Sequence, residues 1–308
     1  VRYFSFPGYE YPVLPAFSPC GRWLYGNAVH GLVVWDLAGT GGEPVWAEFE
    51  SGGFVTRLAV GPCGRYVAGA ADRWVLVWDM VRRSKAKWLL AHPGGHNITD
   101  VAFTPDGTDL LTTCVDGVGG GVRRWRVGNW HRKPPFATRT NLDDPLAISP
   151  DGATLATADK HDRVRPAIKL WRYPDGKHRK TAACDARRVV YLAYSPDGSL
   201  LAGQDEWRRV RVWDARTLAE VAVYEPPPKK GRKKLGEVRN IAFHPSGRAL
   251  ALTSDAAPVA FLDAATWQPV RVFDWKLGRT YGVAFSPDGA LAAAGCGKGK
   301  VVVWDVDL

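Results

Sequence analysis

The 308-residue sequence predicts an all-β fold of seven repeating units, each a four-stranded antiparallel sheet, and three observations carry that prediction. A turn signature ending in Pro, any residue, Gly recurs as FSPCG (17–21), VGPCG (60–64), FTPDG (103–107), ISPDG (148–152), YSPDG (194–198), FHPSG (243–247) and FSPDG (285–289), its glycines 43, 43, 45, 46, 49 and 42 residues apart. Such a period must be tested before any local motif is believed. A second landmark follows each turn, a run ending at Asp36, Asp79, Arg126, Arg172, Asp214, Asp263 and Asp305; Trp precedes the end in six repeats and Leu262 in the sixth. Third, the segments before the turns alternate apolar and polar (NIAF before His244, GVAF before Ser286) and those before the second landmark are rich in Val, whereas a helical repeat would show apolar spacings of three and four.

Each repeat therefore reads as strand a, a Pro-x-Gly turn, strand b, strand c ending at the Trp position, and strand d. A single sheet of this kind cannot bury both of its faces, and stacking seven of them around a ring supplies the missing core, which is the logic of a β-propeller. The combination of SPDG turns, WD strand ends and a period of 42 to 49 residues resembles the WD40 repeat family across essentially the whole chain. That resemblance implies seven blades around a central channel, strand a innermost and strand d outermost, with the last blade completed by the N-terminus. The spacing agrees. From each Trp position to the next turn glycine is 29, 29, 27, 27, 34 and 27 residues, and from Trp304 through the termini to Gly21 is 25. Val1–Phe6 is thus expected as the outer strand of blade seven, and residues 1–308 as one domain despite a length that as a bare prior suits two.

Composition fits this reading. Gly 33 and Pro 22 make a turn-dense chain, and 46% hydrophobic residues suffice for a packed interior. The bias toward Ala, Gly, Arg, Pro and Trp resembles that of a high-GC bacterial protein. There is no run of eighteen apolar residues and no basic-then-apolar leader at Val1–Glu10, and the five cysteines are odd in number and widely spaced. The expectation is a cytoplasmic, monomeric propeller with no membrane partner and no disulfide framework. Six of the 14 Trp mark strand-c ends; Trp23, Trp46, Trp74, Trp88, Trp130, Trp207, Trp267 and Trp275 are off the template and are expected in extra packing or binding.

Departures from the repeat point to function. Blades three and four carry b–c insertions, DGVGGG (116–121) and KHDRVRP (160–166), and the long connector after Trp213 holds EPPPKKGRKKLGE (225–237). In the resembled family b–c and d–a connections share one face, the top, so all three insertions fall together, and loops that do not build the scaffold are where function is usually placed. The candidate partner-binding set there is Arg163, Arg165, Arg187, Arg188, Trp207, Arg208, Arg209, Lys229, Lys230, Arg232, Lys233 and Lys234, with Arg73, Trp74 and Lys298 nearby. Trp207 stands six residues before Trp213, where many WD40 blades have a buried Asp. Arginine pairs bidentately with carboxylate or phosphate and an indole offers a flat apolar face, so the set suits an acidic protein or peptide. The alternative is an anionic ligand or nucleic acid, which the net charge of +10 also favours. Lys229–Lys234 also reads as a localisation signal, and solvated surface charge is the plain alternative for every basic run. The bottom rim is basic too, through Arg82, Arg83, Lys85, Lys87, Arg132, Lys133, Lys177, Arg179 and Lys180.

Several groups that resemble chemistry read better as scaffold. His96, Thr112, Asp116 and Trp125 match the hydrogen-bonded set that ties the strands of many WD40 blades, so a structural network is expected there in place of a catalytic relay. Blade four keeps Thr157, whereas blades one and seven have Gly26 and Ala294 where the hydroxyl would be. His30, His96 and His161 have no ligand spacing, and no metal, cofactor or catalytic residue is assigned. Cys20 and Cys63, at equivalent a–b turn positions, are expected as exposed thiols on the bottom rim. The sequence thus predicts a non-enzymatic scaffold that binds a protein through its top-face loops.

Overall fold

The computed structural model describes residues 1–6, 11–90, 97–114, 121–134, 145–159, 167–184, 189–205, 208–228, 238–254 and 259–307, and among these every regular element is a strand. The strands form seven four-stranded antiparallel blades in a ring. Blade five shows the pattern: Val189–Tyr194 is strand a, Leu200–Asp205 strand b, Val210–Asp214 strand c and Glu220–Tyr224 strand d, each paired with the next. Strands a of neighbouring blades pack against one another around the axis. Strands b and c are buried almost throughout, as in Asp109–Cys114 and Ala249–Ser254, while strand d faces solvent, as in Pro269–Phe273.

Arg2–Ser5 pairs antiparallel with Lys300–Asp305, the last strand of the chain, and so completes blade seven from the other terminus. The indole N–H of Trp35 in blade one reaches the Ser5 carbonyl at 3.4 Å, and Phe4 lies edge-on to the same indole. Blades one and two differ from the expected separate sheets. Trp46–Val60 runs unbroken from strand d of blade one, where Trp46 pairs with Val34, into strand a of blade two, where Val60 pairs with Val67. Trp23–Asp36 likewise runs unbroken through strands b and c of blade one, so that the eight strand positions of blades one and two form one six-stranded sheet.

The apolar core is divided among the blade interfaces. Seven buried clusters are present among the described residues, each shared by two adjacent blades; the one containing Phe4, Trp35, Ala293 and Val303 joins blade seven to blade one. The turn signature adds a second contact at every step but that between blades five and six, where a Cβ on Gly247 would meet nothing within 4 Å. The turn glycines have φ between 68° and 75°, a region that disfavours side chains, and a Cβ on Gly64, Gly107, Gly152 or Gly198 would meet the proline of the preceding blade's turn at 3.1–3.7 Å. Gly21 lies similarly over Pro287, across the closure. Between blades six and seven His244, the residue before the turn proline Pro245, makes this contact instead, its Nε2 lying 3.0 Å from the Gly289 carbonyl. Inside the turn, the hydroxyls of Ser149, Ser195 and Ser286 donate to Asp151, Asp197 and Asp288 and accept the N–H of the residue that starts strand b.

The strand-c tryptophans are seated in two ways. Trp125 and Trp171 donate their indole N–H to Thr112 and Thr157 at 3.4 and 3.0 Å, which is the part of the expected hydrogen-bonded set that falls on described residues; His96 and Asp116 lie outside them. In blades one, two and five the hydroxyl is replaced by Gly26, Gly69 and Gly203, whose missing Cβ would lie 2.8–3.1 Å from the indole ring of Trp35, Trp78 or Trp213. The glycine lets the ring lie against the backbone but offers no acceptor, and Trp78 and Trp304 bury indole nitrogens without a partner. An unsatisfied buried donor costs about 1–3 kcal/mol.

Three outcomes follow from this packing. Removal of Val1–Phe6 strips blade seven of its outer strand and lowers the melting temperature measured by circular dichroism; an unchanged value would show that the ring does not need the closure. Gly69→Ala forces the Trp78 ring or Val55 to move and destabilises by roughly 1–3 kcal/mol in denaturant titration, whereas Ala294→Ser, which places a hydroxyl where blades three and four have one, raises stability by up to about 1 kcal/mol. The third concerns acid. The hydroxyls of Ser149, Ser195 and Ser286 hold the carboxyls of Asp151, Asp197 and Asp288 below their ordinary value of 3.8. A depressed folded-state value gives stability that is fully present above the unfolded-state value and is lost as pH falls through the folded one. The melting temperature should therefore fall as pH drops below about 4, and less steeply when all three serines are replaced by alanine.

Candidate functional site at the channel mouth

Strand a is where the blades depart from regular pairing. In blades two, three, five, six and seven the a–b register skips one residue: Thr56, Thr99, Val190, Arg239 and Tyr281. Such a bulge bends the strand and re-aims its side chains, and it recurs next to binding sites. Strand a starts on the face that carries the d–a and b–c connections, so these bulges form a collar at the top of the central channel. There a cavity of about 690 Å3 opens, lined by the bulged Arg239 and Tyr281, by Arg57 and Tyr191, which each follow a bulged residue, and by Gln204 and Arg208 from blade five.

Its electrostatics follow from the pairing of its charges. The Arg57 guanidinium of blade two lies 4.5 Å from the ring centre of Tyr191 in blade five, and that of Arg239 lies 4.9 Å from Tyr281 of the neighbouring blade. Stacking on an aromatic face orients a guanidinium, and Arg57 Nη1 also donates to the Thr56 carbonyl at 3.0 Å. Arg208 has φ 72° and its N–H donates to the Asp205 carbonyl at 3.0 Å, which fixes this tight b–c turn at the rim. Asp205, fully buried, is the acid of the collar, and its charge is met within its own blade: Arg209 Nε at 2.8 Å and Arg211 Nε at 3.0 Å both donate to its Oδ2. Arg211, 3% exposed, also pairs with Glu220. Asp100 accepts the N–H groups of Val101 and of Leu146 in the next blade; burial holds its carboxyl above the usual range although the Arg57 charge opposes the shift. Gln204 is 7% exposed, and its buried Oε1 has no hydrogen-bond partner.

This arrangement suits a ligand that brings an anionic group to the arginines and an N–H to Gln204. Of the residues expected to bind a partner, Arg208 lines the cavity and Arg209 turns into the blade to meet Asp205. Arg163, Arg165, Arg187, Arg188, Trp207, Lys229, Lys230, Arg232, Lys233 and Lys234 lie outside the described residues. Arg57, Tyr191, Gln204, Arg239 and Tyr281 are additions that sequence reading missed. Four of them sit three or four residues before the apolar residue that opens each turn signature, in the first half of a strand whose alternation the bulge interrupts. Among the described residues no group of three or more His, Cys, Asp or Glu side chains is placed to hold a metal ion.

The off-template tryptophans divide. Trp130 and Trp267 are buried between blades, and Trp275 stacks on Phe273 with ring planes 4° apart. Trp23 and Trp46 line a bottom-face cavity with the thiols of Cys20 and Cys63, both exposed as expected. A family model described as WD domain, G-beta repeat matches the chain at residues 45–79, 87–118, 177–214 and 267–305. No curated protein matches the chain. With that repeat matched in four segments and the same turn and strand-end pattern in all seven blades, the chain carries WD40 repeats and folds as a seven-bladed β-propeller.

Proposed function

We propose that this propeller is a non-enzymatic interaction scaffold that holds an acidic segment of a protein partner at the top of its central channel. WD40 propellers are commonly protein-interaction scaffolds, which gives the general class. The finer reading is carried by one observation: Arg57, Arg208 and Arg239 surround a single cavity, two of them stacked on tyrosines, while the buried carboxylate of Asp205 is already matched by Arg209 and Arg211. The collar thus offers positive charge in a preset orientation, which favours bidentate pairing with a carboxylate. The unpartnered Oε1 of Gln204 favours a peptide, whose backbone N–H can satisfy it. In this reading the basic segments 160–166, 185–188 and 229–237 raise the encounter rate with an acidic chain, an effect that screening by salt weakens.

The test is fluorescence anisotropy of a labelled glutamate-rich decapeptide with the intact chain. Arg57→Glu and Arg239→Glu should each weaken binding at least tenfold while circular dichroism stays unchanged; replacing Lys229, Lys230, Arg232, Lys233 and Lys234 by Ser should reduce mainly the association rate. Affinity indifferent to both channel variants would remove the collar from the site. Retention of mixed-sequence DNA or RNA at about 50 mM salt, with a steep loss on adding more, would favour the nucleic-acid alternative.

A further inference from the structure

The c–d turns of the bottom face contain a position that in three blades sends a large apolar side chain into the seam with the preceding blade. The strand-c Asp caps this turn in blades two, five and six, and the fourth residue after the strand-c end takes a left-handed conformation in several blades: Trp130 (φ 58°), Leu218 (φ 57°) and Trp267 (φ 59°) in blades three, five and six. A β-carbon is disfavoured there, yet these residues are large and apolar because the side chain is driven into the seam with the preceding blade. All three are buried. Trp130 meets Tyr66 of blade two edge-on at 5.1 Å, Leu218 joins the cluster of blades four and five, and Trp267 that of blades five and six.

Blade two breaks the pattern. Arg83 (φ 45°) occupies this position and is exposed, and the seam between blades one and two holds a cavity of about 470 Å3. Trp23, Tyr25, Val34 and Trp46 of blade one and Met80 and Val81 of blade two wall it, with Arg83 at its edge. Trp23 stands two residues after its turn glycine, as Tyr66 does in blade two, so the cavity presents the same aromatic wall that Trp130 packs against one blade further on. The seams of blades three with four and of blades four with five also hold cavities, of about 440 and 340 Å3, but charged and polar groups line them: in the first, beside Gly176, the Tyr173 hydroxyl and Lys133 Nζ both bond Asp109, and the second is lined by Asp151, Arg179, Lys180, Asp197 and Arg216.

We propose that the seam between blades one and two is a second docking site, which takes an aromatic or large aliphatic side chain of a partner peptide, with a carboxylate beside it for Arg83. The occupant replaces the sealing side chain that the chain itself supplies in blades three, five and six. Charge selects its neighbour. Arg22 and Arg65 near the cavity are matched by Asp36 at 2.7 Å and Asp79 at 2.9 Å, whereas Arg83 makes no ion pair among the described residues. The site lies on the face opposite the channel collar and uses none of its residues.

A fluorescein-labelled Glu-Glu-Trp-Glu-Glu peptide tests this by anisotropy, with Glu-Glu-Ala-Glu-Glu and Lys-Lys-Trp-Lys-Lys as controls. The first should bind saturably and the controls at least tenfold more weakly. Arg83→Trp, which fills the seam from within, should raise the melting temperature and abolish binding; Arg83→Glu should weaken binding at least tenfold with the melting temperature unchanged. Because the Cys20 and Cys63 thiols line the same cavity, and the Ser18 hydroxyl and neighbouring backbone hold the Cys20 thiol below its ordinary value, bound peptide should also slow their alkylation by iodoacetamide. The Arg57→Glu variant should bind this peptide as the wild type does; loss of binding there alone would assign the peptide to the channel and overturn the seam. So would wild-type affinity in Arg83→Trp, an unchanged alkylation rate, or shielding of both thiols by self-association without peptide.

Discussion

Every blade of this propeller depends on burial that it cannot achieve alone. Strands b and c are covered on both faces, and the covering on each side belongs to a neighbour, so the core is seven wedges, and each blade contributes to two. Full burial of an aliphatic side chain is worth about 1.5–3 kcal/mol, and an open ring would forfeit it on two exposed faces at once. Closure by Arg2–Ser5 is therefore more than one extra strand. It brings Phe4 into the wedge between blades seven and one and gives the Trp35 indole its acceptor.

Much of this was legible in the sequence because the same physical problem is solved seven times. A proline-glycine turn must nest on the turn before it, and a large side chain must fill each wedge; both demands print a period that a single copy could not have shown. Gly21, Trp35 and the Asp36 that pairs with Arg22 were all placed by their equivalents elsewhere. The continuous Trp46–Val60 strand was not, because the repeat marks turns and strand ends but not whether strand d of one blade and strand a of the next are separate, and only the pairing on either side shows that one strand serves both. The candidate site was less legible for a related reason. A bulge shifts the alternation by one residue, so Arg57, Tyr191, Arg239 and Tyr281 read as ordinary strand positions until their partners are known. Arg209 illustrates the opposite case: a basic residue in a loop reads as solvent-facing, yet it is committed to a buried aspartate four residues away.

Charge is handled differently at the two depths of the fold. Arg22 and Arg65 pair with strand-end aspartates at the rim, where such pairs contribute little to stability because water screens them. In blade five the Asp205, Arg209, Arg211 and Glu220 set lies deeper, and Asp205 and Arg211 are nearly or fully buried. Removing one partner from such a set strands a charge, whereas replacing the whole by apolar residues would be nearly neutral. Its value is thus better sought in geometry than in stability. It fixes the tight turn that holds Arg208 at the channel, next to a glutamine whose acceptor is left open.

The two sites argued for share one origin. A closed ring of repeats constrains its common positions severely, since a change in one blade must suit both neighbours. Freedom remains where the repeat is locally broken: at the bulges, which release side chains from the sheet into the channel, and at the c–d position, where a residue too polar to enter the seam leaves it open. Both breaks require backbone already held in place by the wedges around it. A left-handed Trp130 is tolerated because burial of its ring against Tyr66 outweighs the conformational cost, and the same backbone with Arg83 has no such return. The conformation persists in blade two because the Asp79 carboxylate still caps the turn through the N–H groups of Val81 and Arg82 at 3.1 Å. The scaffold thus keeps the shape of the seal after the sealing side chain is gone, and an empty space of that shape, walled by two tryptophans, is a feature of the ring as much as any filled one.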